Sequence, residues 1–159
     1  MITCKNPILS GFYPDPSICR VGEWFYLVTS TFAYFPGIPV FRSRNLAQWE
    51  QIGNILTRES QMPLQGCEHN EGIYAPTLRW HKGTFYLITT NVSGGGNFIV
   101  TAKNPQGPWS ESHFLENARG IDPSLFFDED GTCYYIGQRE NSRGGRYNGD
   151  CEIWIQKLD

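Results

Sequence analysis

A short segment recurs three times along the chain, and this repeat constrains the fold more than any other feature of the sequence. Its copies begin at Asp15, Ala75 and Asp122, and each continues with proline, then serine or threonine, then an aliphatic residue. The first two copies start 60 residues apart and the last two 47 residues apart. Self-similarity on this scale is typical of repeat architectures, in which each repeat is one supersecondary unit. The chain is therefore expected to be an array of similar units.

The local pattern within each unit is that of β-structure. Each copy is followed by a glycine-containing turn and then by a run rich in aromatic and β-branched residues, at residues 24–29, 85–89 and 134–136. Such runs between glycine turns are typical of strands, and no segment keeps a 3.6-residue apolar period over three turns. About four strands fit into each unit, which is the content of one propeller blade. The 159 residues predict about three blades of an all-β propeller, and the open edge that three blades leave predicts that the chain is part of a longer protein.

Charge and apolar patterning restrict the partners of the chain. Thirteen basic and sixteen acidic residues give a net charge of −3, and the basic residues form no block. Nucleic acid and anionic membrane are poor partners for such a surface. No apolar stretch approaches the roughly 20 residues of a membrane-spanning helix. A neutral partner such as a sugar fits this composition better.

The cysteines and histidines form no pattern that indicates a metal or redox site. Five scattered cysteines contain no C-x-x-C pair, and the three histidines contain no H-E-x-x-H motif. We therefore expect no cofactor and no metal site built by protein ligands alone, and we expect the cysteines to be ordinary buried thiols. The first residues lack the basic start and apolar core of a signal peptide, so the expected location is cytoplasmic.

Two of the three repeat copies begin with an aspartate. Asp15 lies between Pro14 and Pro16, which restricts its backbone to extended conformations. If each copy opens the innermost strand of a blade, Asp15 and Asp122 converge on the central hub, and paired carboxylates in one cleft are what glycoside hydrolysis needs. The alternative is a plain turn or cap aspartate, which is common in Asp-Pro sequences. Turn chemistry does not explain why the middle copy carries Ala75 instead.

The sequence around these aspartates resembles glycoside hydrolase family 43, in its β-xylosidase and α-L-arabinofuranosidase branch. The resemblance rests on three ordered segments: Gly-Phe-Tyr-Pro-Asp-Pro-Ser-Ile at residues 11–18 (with Ser-Thr-Phe at 30–32 and Phe-Pro-Gly at 35–37), Gly-Ile-Tyr-Ala-Pro-Thr at 72–77, and Gly-Ile-Asp-Pro-Ser-Leu-Phe at 120–126. It covers essentially the whole chain. It implies that residues 1–159 are roughly the first three blades of a five-bladed catalytic β-propeller.

The resemblance also implies roles for individual residues. Asp15 corresponds to the general base of an inverting mechanism, and Asp122 corresponds to the carboxylate that adjusts the pKa of the general acid. The family's general acid is a glutamate of a later blade, and neither Glu140 nor Glu152 has the expected sequence context. Phe32 and Tyr74 are the candidate sugar platform, with core packing as the alternative for each. Family members sometimes hold a calcium ion at the hub, but no acidic ligand loop in this chain supports one.

The expected function is the removal of terminal β-1,4-xylosyl or α-L-arabinofuranosyl residues from plant-polysaccharide oligosaccharides. The alternative is a non-catalytic propeller that binds carbohydrate or protein. The Gly-His and Trp-Asp signatures of WD-repeat propellers are absent from the sequence. A sugar-binding propeller would keep the aromatic residues without needing both Asp15 and Asp122, so the placement of these two carboxylates discriminates between the two classes.

Overall fold

A computed structural model of the protein describes residues 4–158, and this range forms eleven β-strands and no helix. Within it there is accordingly no helix that could cross a membrane. The strands form three antiparallel sheets that follow one another along the chain. The first sheet contains β1 (Ser17–Val21), β2 (Trp24–Val28), β3 (Gly37–Ser43) and β4 (Glu50–Leu56). The second contains β5 (Thr77–His81), β6 (Thr84–Asn91), β7 (Gly96–Ala102) and β8 (His113–Phe114). The third contains β9 (Ile121–Phe127), β10 (Cys133–Glu140) and β11 (Cys151–Leu158).

Each sheet is a meander in which sequential strands are neighbours. The turn between β5 and β6 shows why, since Lys82 and Gly83 both have positive φ. A two-residue turn of this kind matches the twist of the strands that it joins, and it sets His81 opposite Thr84. The predicted repeat units are therefore confirmed as sheets, the first two with four strands and the third with three strands among the residues described.

The repeated segment lies at the start of the first strand of each sheet, and these first strands lie side by side. The hydroxyl of Ser17 on β1 accepts a hydrogen bond from the backbone N–H of Leu78 on β5 (3.2 Å). Arg79 on β5 donates from Nη2 to the hydroxyl of Ser124 on β9 (3.0 Å) and from Nε to the carbonyl of Leu125 (3.1 Å). The three repeats are thus joined through β1, β5 and β9, as the innermost strands of propeller blades would be.

Hydrophobic layers between the sheets hold the blades together. Between the first two sheets, Tyr26 packs edge-on against Phe85 with ring centroids 5.3 Å apart. Between the second and third sheets, the fully buried Ile88, Leu125 and Tyr135 form a smaller cluster. Aromatic and branched side chains of this size supply most of the burial energy of a domain.

The prediction that the cysteines are buried is wrong. The five cysteines are free, as expected, but Cys4 and Cys151 are exposed and the other three are half-buried. Cys151 lies on β11, whose side chains alternate between exposed and half-buried along its whole length. A cysteine on such a strand faces outward by register alone, which its hydrophobic character does not reveal.

Candidate active site

Asp15 lies in the segment just before β1, at the end of the first sheet where β2 finishes. The prediction that its flanking prolines hold it extended is wrong: its φ is 53°, in the left-handed region that aspartate tolerates better than most residues, and its side chain is exposed. The hydroxyl of the fully buried Ser30 donates a 2.6 Å hydrogen bond to Asp15 Oδ2. The backbone N–H of Ser30 also donates to the carbonyl of Pro14 (3.1 Å), which ties the two segments together.

Asp122 is the second residue of β9 and lies at a β-bulge. Ile121 is paired with Gln138 and Ser124 with Ile136, so that Asp122 and the following proline both face only Gly137. The bulge gives Asp122 a φ of 55°, nearly the same as that of Asp15. A bulge re-aims a side chain away from the regular alternation of the strand, and bulges are frequent beside active sites.

The two aspartates are close enough to influence each other. Desolvation by the surrounding protein raises the pKa of Asp122 above its ordinary value, and the negative charge of Asp15 adds to this rise. Asp122 is nevertheless an exposed residue, so the desolvation acts on only part of its side chain. The structure therefore brings the two predicted carboxylates together at the same end of their blades.

A buried polar network supports the segment that leads into Asp122. The side-chain amide of Asn97 on β7 donates to the carbonyls of Ala118 (2.7 Å) and Gly120 (3.0 Å) and lies 3.0 Å from the hydroxyl of Tyr135. Burial, and after it the charge of Asp122, raises the pKa of Tyr135 to about 12, so this residue stays a neutral phenol at ordinary pH.

Phe32 and Tyr74 are in contact, with ring centroids 5.3 Å apart at an interplanar angle of 61°. The backbone brings them together, since Phe32 and Ile73 exchange N–H···O hydrogen bonds of 2.8 and 3.1 Å. Phe12 also packs against Phe32, with centroids 5.8 Å apart, and is itself 60% exposed. Both predicted platform residues are half-buried, so they are not core aromatics of the kind that Phe98 represents.

These aromatic residues lie at the same end of the blades as the aspartates. Phe32 comes two residues after Ser30, the hydrogen-bond partner of Asp15, and Tyr74 immediately precedes Ala75, the middle copy of the repeat. The end of β2 and the starts of β1 and β5 share one edge because β1 and β2 are antiparallel and the inner strands run side by side. All four predicted site residues therefore belong to one region.

Neither of the two late glutamates has the environment of a general acid. Glu152 on β11 is paired across the strands with Arg139, Oε1 to Nε 2.8 Å. The hydrogen bond from Arg139 is the main cause that lowers the pKa of Glu152, whereas a general acid needs a raised pKa. Glu140, at the end of β10, is exposed and lines a shallow, solvent-open depression with Arg119 and Asn141.

No three histidine, cysteine, aspartate or glutamate side chains converge on one point among residues 4–158. Ser30 contacts Asp15, and Tyr135 lies close enough to Asp122 to feel its charge.

Sequence reasoning did not single out Ser30, Phe12, Tyr135 or Asn97. The first two lie within the segments that carry the family resemblance, but their contacts are made across 15 and 20 residues of chain. The polar character of Asn97 in a mostly apolar strand is a local signal of the network below Asp122, because a buried amide requires partners.

Comparison with known proteins identifies the family. The family model described as Glycosyl hydrolases family 43 matches residues 4–159. A xylosidase/arabinosidase of Butyrivibrio fibrisolvens is 65% identical over 161 residues, covering 100% of this chain and 31% of its own length. A non-reducing end alpha-L-arabinofuranosidase of Bacteroides ovatus is 54% identical over 138 residues, covering 84% of this chain and 26% of its own length. The chain thus spans less than a third of these curated relatives.

Solved structures give the same answer for the fold. A xylan beta-1,4-xylosidase from Bacillus halodurans superposes with a TM-score of 0.89 at 41% identity, covering 99% of this chain and 31% of that protein. A family 43 protein of the xyloglucan locus of Bacteroides ovatus superposes with a TM-score of 0.85 at 46% identity, covering 98% of this chain and 30% of that one. The predicted fold class, part of an all-β five-bladed propeller, is confirmed.

Proposed function

Because the chain belongs to glycosyl hydrolases family 43, we propose that it forms part of the catalytic propeller of an inverting glycosidase. The substrates are oligosaccharides from plant polysaccharides, and the enzyme removes their terminal β-1,4-xylosyl or α-L-arabinofuranosyl residues. The relatives that support this substrate class are named as a xylosidase/arabinosidase and an alpha-L-arabinofuranosidase. A cytoplasmic location completes the proposal.

One observation carries this proposal: two carboxylates lie at the hub end of the first and third repeats, on either side of the repeat that begins with Ala75, and their environments differ. Both side chains are exposed, and one oxygen of Asp15 is held by a hydrogen bond from Ser30. The pKa of Asp122 is raised by desolvation and by the charge of Asp15. Carboxylates whose environments differ in this way are suited to different roles in one reaction.

In the proposed mechanism Asp15 is the general base. Its carboxylate takes a proton from a water molecule, whose oxygen attacks the anomeric carbon on the face opposite the leaving group. The bond from that carbon to the leaving oxygen breaks, and a carboxylic acid elsewhere in the protein gives this oxygen its proton, so the configuration is inverted. Base and acid in such enzymes are about 6.5–9.5 Å apart to leave room for the water.

Asp122 takes the role of the carboxylate that orients the sugar and raises the pKa of the acid. A negative charge near a carboxylic acid disfavours its ionisation and so keeps it protonated near neutral pH. We assign the acid to the part of the longer protein that this chain does not span, since the pairing of Glu152 with Arg139 favours its ionised form. Phe32 and Tyr74 form the sugar platform, because a pyranose presents an apolar C–H face to aromatic rings.

The test compares the full-length parent protein with its Asp15→Asn variant on 4-nitrophenyl β-D-xyloside and 4-nitrophenyl α-L-arabinofuranoside. Losing the base is expected to lower kcat/KM by roughly 10²–10⁴-fold. The matched control is Asp130→Asn, which makes the same chemical change in the exposed turn between β9 and β10 and should leave the rate unchanged. The anomer first released by the parent, followed by proton NMR, reports inversion.

An unaffected rate in Asp15→Asn would remove Asp15 from the mechanism. If the parent binds xylo-oligosaccharides but hydrolyses neither aryl glycoside, the non-catalytic carbohydrate-binding propeller becomes the better description. The exposed ring of Phe12 beside Phe32 would serve such a binding surface equally well.

A further inference from the structure

The hydroxyl of Ser30 makes the shortest contact to either site carboxylate among the described residues. Its Oγ lies 2.6 Å from Asp15 Oδ2. O–H···O⁻ bonds to an ionised acceptor are typically 2.5–2.7 Å long and about twice as strong as neutral ones. Ser30 is fully buried, so water does not compete for this donor. The contact therefore has the geometry of a charge-assisted hydrogen bond.

Backbone hydrogen bonds hold Ser30 in place independently of its contact with the Asp15 carboxylate. Ser30 follows β2, and its N–H donates to the carbonyl of Pro14, immediately before Asp15 (3.1 Å). On the other side, the hydroxyl of Thr31 accepts a hydrogen bond from the N–H of Ile38 at the start of β3 (3.2 Å). The hydroxyl of Ser30 has a second acceptor within reach, the Pro14 carbonyl at 3.4 Å, but this is longer and uncharged. The single hydroxyl proton of Ser30 thus goes to the carboxylate.

The contact divides the two oxygens of Asp15 between two tasks. Oδ2 accepts from Ser30, and among residues 4–158 no other side chain or backbone N–H donates to this carboxylate. Oδ1 therefore has no protein donor among these residues, and Asp15 is exposed to solvent. A carboxylate held by one oxygen cannot rotate freely about its Cβ–Cγ bond, so its second oxygen keeps one direction. This is the arrangement that a general base requires towards a single water molecule.

We infer that Ser30 is a positioning residue that orients the Asp15 carboxylate for catalysis. The inference rests on the proposed function of Asp15 as base, and it adds a residue that does not itself contact substrate. Removing the hydroxyl leaves the charge and the position of Asp15 in place but frees its carboxylate to rotate. The expected loss falls on kcat rather than on KM, because the platform residues Phe32 and Tyr74 are untouched. A roughly 10- to 100-fold fall in kcat corresponds to one lost hydrogen bond to a charged group.

A double-mutant cycle in the full-length protein separates positioning from plain structural support. The variants are Ser30→Ala, Asp15→Ala and the double variant, assayed on the better aryl glycoside with azide added as an external nucleophile that needs no general base. If Ser30 acts through Asp15, Ser30→Ala lowers kcat in the parent but causes no further loss in the Asp15→Ala background. The control is Ser43→Ala, a buried serine of the same sheet whose hydroxyl accepts from the backbone N–H groups of Asn45 and Leu46. This control should lower the thermal midpoint without lowering kcat.

Equal losses from Ser30→Ala in both backgrounds would overturn the inference, and so would an unchanged kcat in the parent background. A second readout does not depend on activity: a crystal structure of Ser30→Ala, in which the Asp15 carboxylate should occupy more than one orientation. A carboxylate that keeps its single orientation without the hydroxyl contradicts the inference. If the parent lacks glycosidase activity but the carboxylate turns in Ser30→Ala, the proposed function fails and the positioning contact still stands.

Discussion

The polar network below Asp122 leads to a sharp stability prediction for Asn97. This side chain is 1% exposed and connects the second sheet to the third. Its Oδ1 accepts a 2.5 Å hydrogen bond from the hydroxyl of Thr90, and its amide lies within 3.0 Å of the Ala118 and Gly120 carbonyls and of the Tyr135 hydroxyl. One amide therefore satisfies polar groups from three separate segments of the chain.

The variant Asn97→Ala removes the amide, and all of these hydrogen bonds are lost together. The Ala118 carbonyl and the Thr90 hydroxyl lose the side-chain partner that they have in the buried interior. The Tyr135 hydroxyl keeps a 3.3 Å bond to the Arg119 carbonyl. A buried polar group left unsatisfied costs about 1–3 kcal/mol, so two such groups predict a loss of about 4 kcal/mol in the free energy of unfolding. This exceeds the average effect of a single substitution, which is about 1 kcal/mol.

Urea unfolding followed by tryptophan fluorescence measures this loss, because Trp154 packs on Tyr135 with ring centroids 5.1 Å apart. Thr90→Val, which keeps the shape of the side chain and removes only one partner, should cost about half as much. Asn54→Ala, whose amide makes only long, exposed hydrogen bonds of 3.4 and 3.5 Å, should cost less than about 0.5 kcal/mol. A value for Asn97→Ala within about 1 kcal/mol of the parent would refute the reasoning, because such a value leaves no room for unsatisfied buried groups.

Two further predictions concern the residues around Asp122. Gly120→Ala should lower both the unfolding midpoint and kcat, because a Cβ at φ of 92° overlaps the backbone carbonyl of Gln138 and must displace the start of β9. The control is Gly144→Ala, which has a similar φ of 87° but open space around its Cβ and so measures the backbone strain alone, about 1–2 kcal/mol. Equal effects of the two variants would contradict the clash. Asp122→Asn should raise the urea midpoint at pH 7. The raised pKa of Asp122 means that the parent loses stability as the pH rises through that pKa, so the advantage of the variant should vanish below the ordinary pKa of 3.8, and a variant less stable than the parent at pH 7 would show the sign to be wrong.

The sequence contains enough information to predict the blades and the residues at their hub end. Asp15 and Asp122 start equivalent repeats, and equivalent positions of stacked repeats meet at one edge. The contact between Phe32 and Tyr74 follows from the same argument, since both lie beside this edge. The period of the repeat and the pattern within each unit are local features, and local features can be recognised in a single sequence.

The contacts that tune the site are not local, and they were not predicted. Ser30 meets Asp15 because β1 and β2 pair with Ser17 opposite Val28, which sets the next residues on each side against one another. Asn97 meets Tyr135 across 38 residues and two sheets. A one-residue change of register would turn these side chains to the other face, so no pattern short of the full pairing reveals them.

The backbone at the two aspartates bears on whether they serve the fold or the chemistry. Asp15 and Asp122 share a left-handed conformation, with φ of 53° and 55°, whereas Ala75, which holds the same place in the middle repeat, is not among the described residues with positive φ. The second sheet has its four strands without this conformation, so a blade does not require it. A non-glycine residue held at positive φ costs about 1–3 kcal/mol, and such residues persist where the surrounding structure imposes them. Two of the three repeats therefore carry the same strain at the same place, and in both the residue that carries it is a carboxylate. Strand formation does not account for this conformation, because the repeat with Ala75 forms its strand without it, and the proposed role of the two carboxylates gives one reason for both the residue and its backbone.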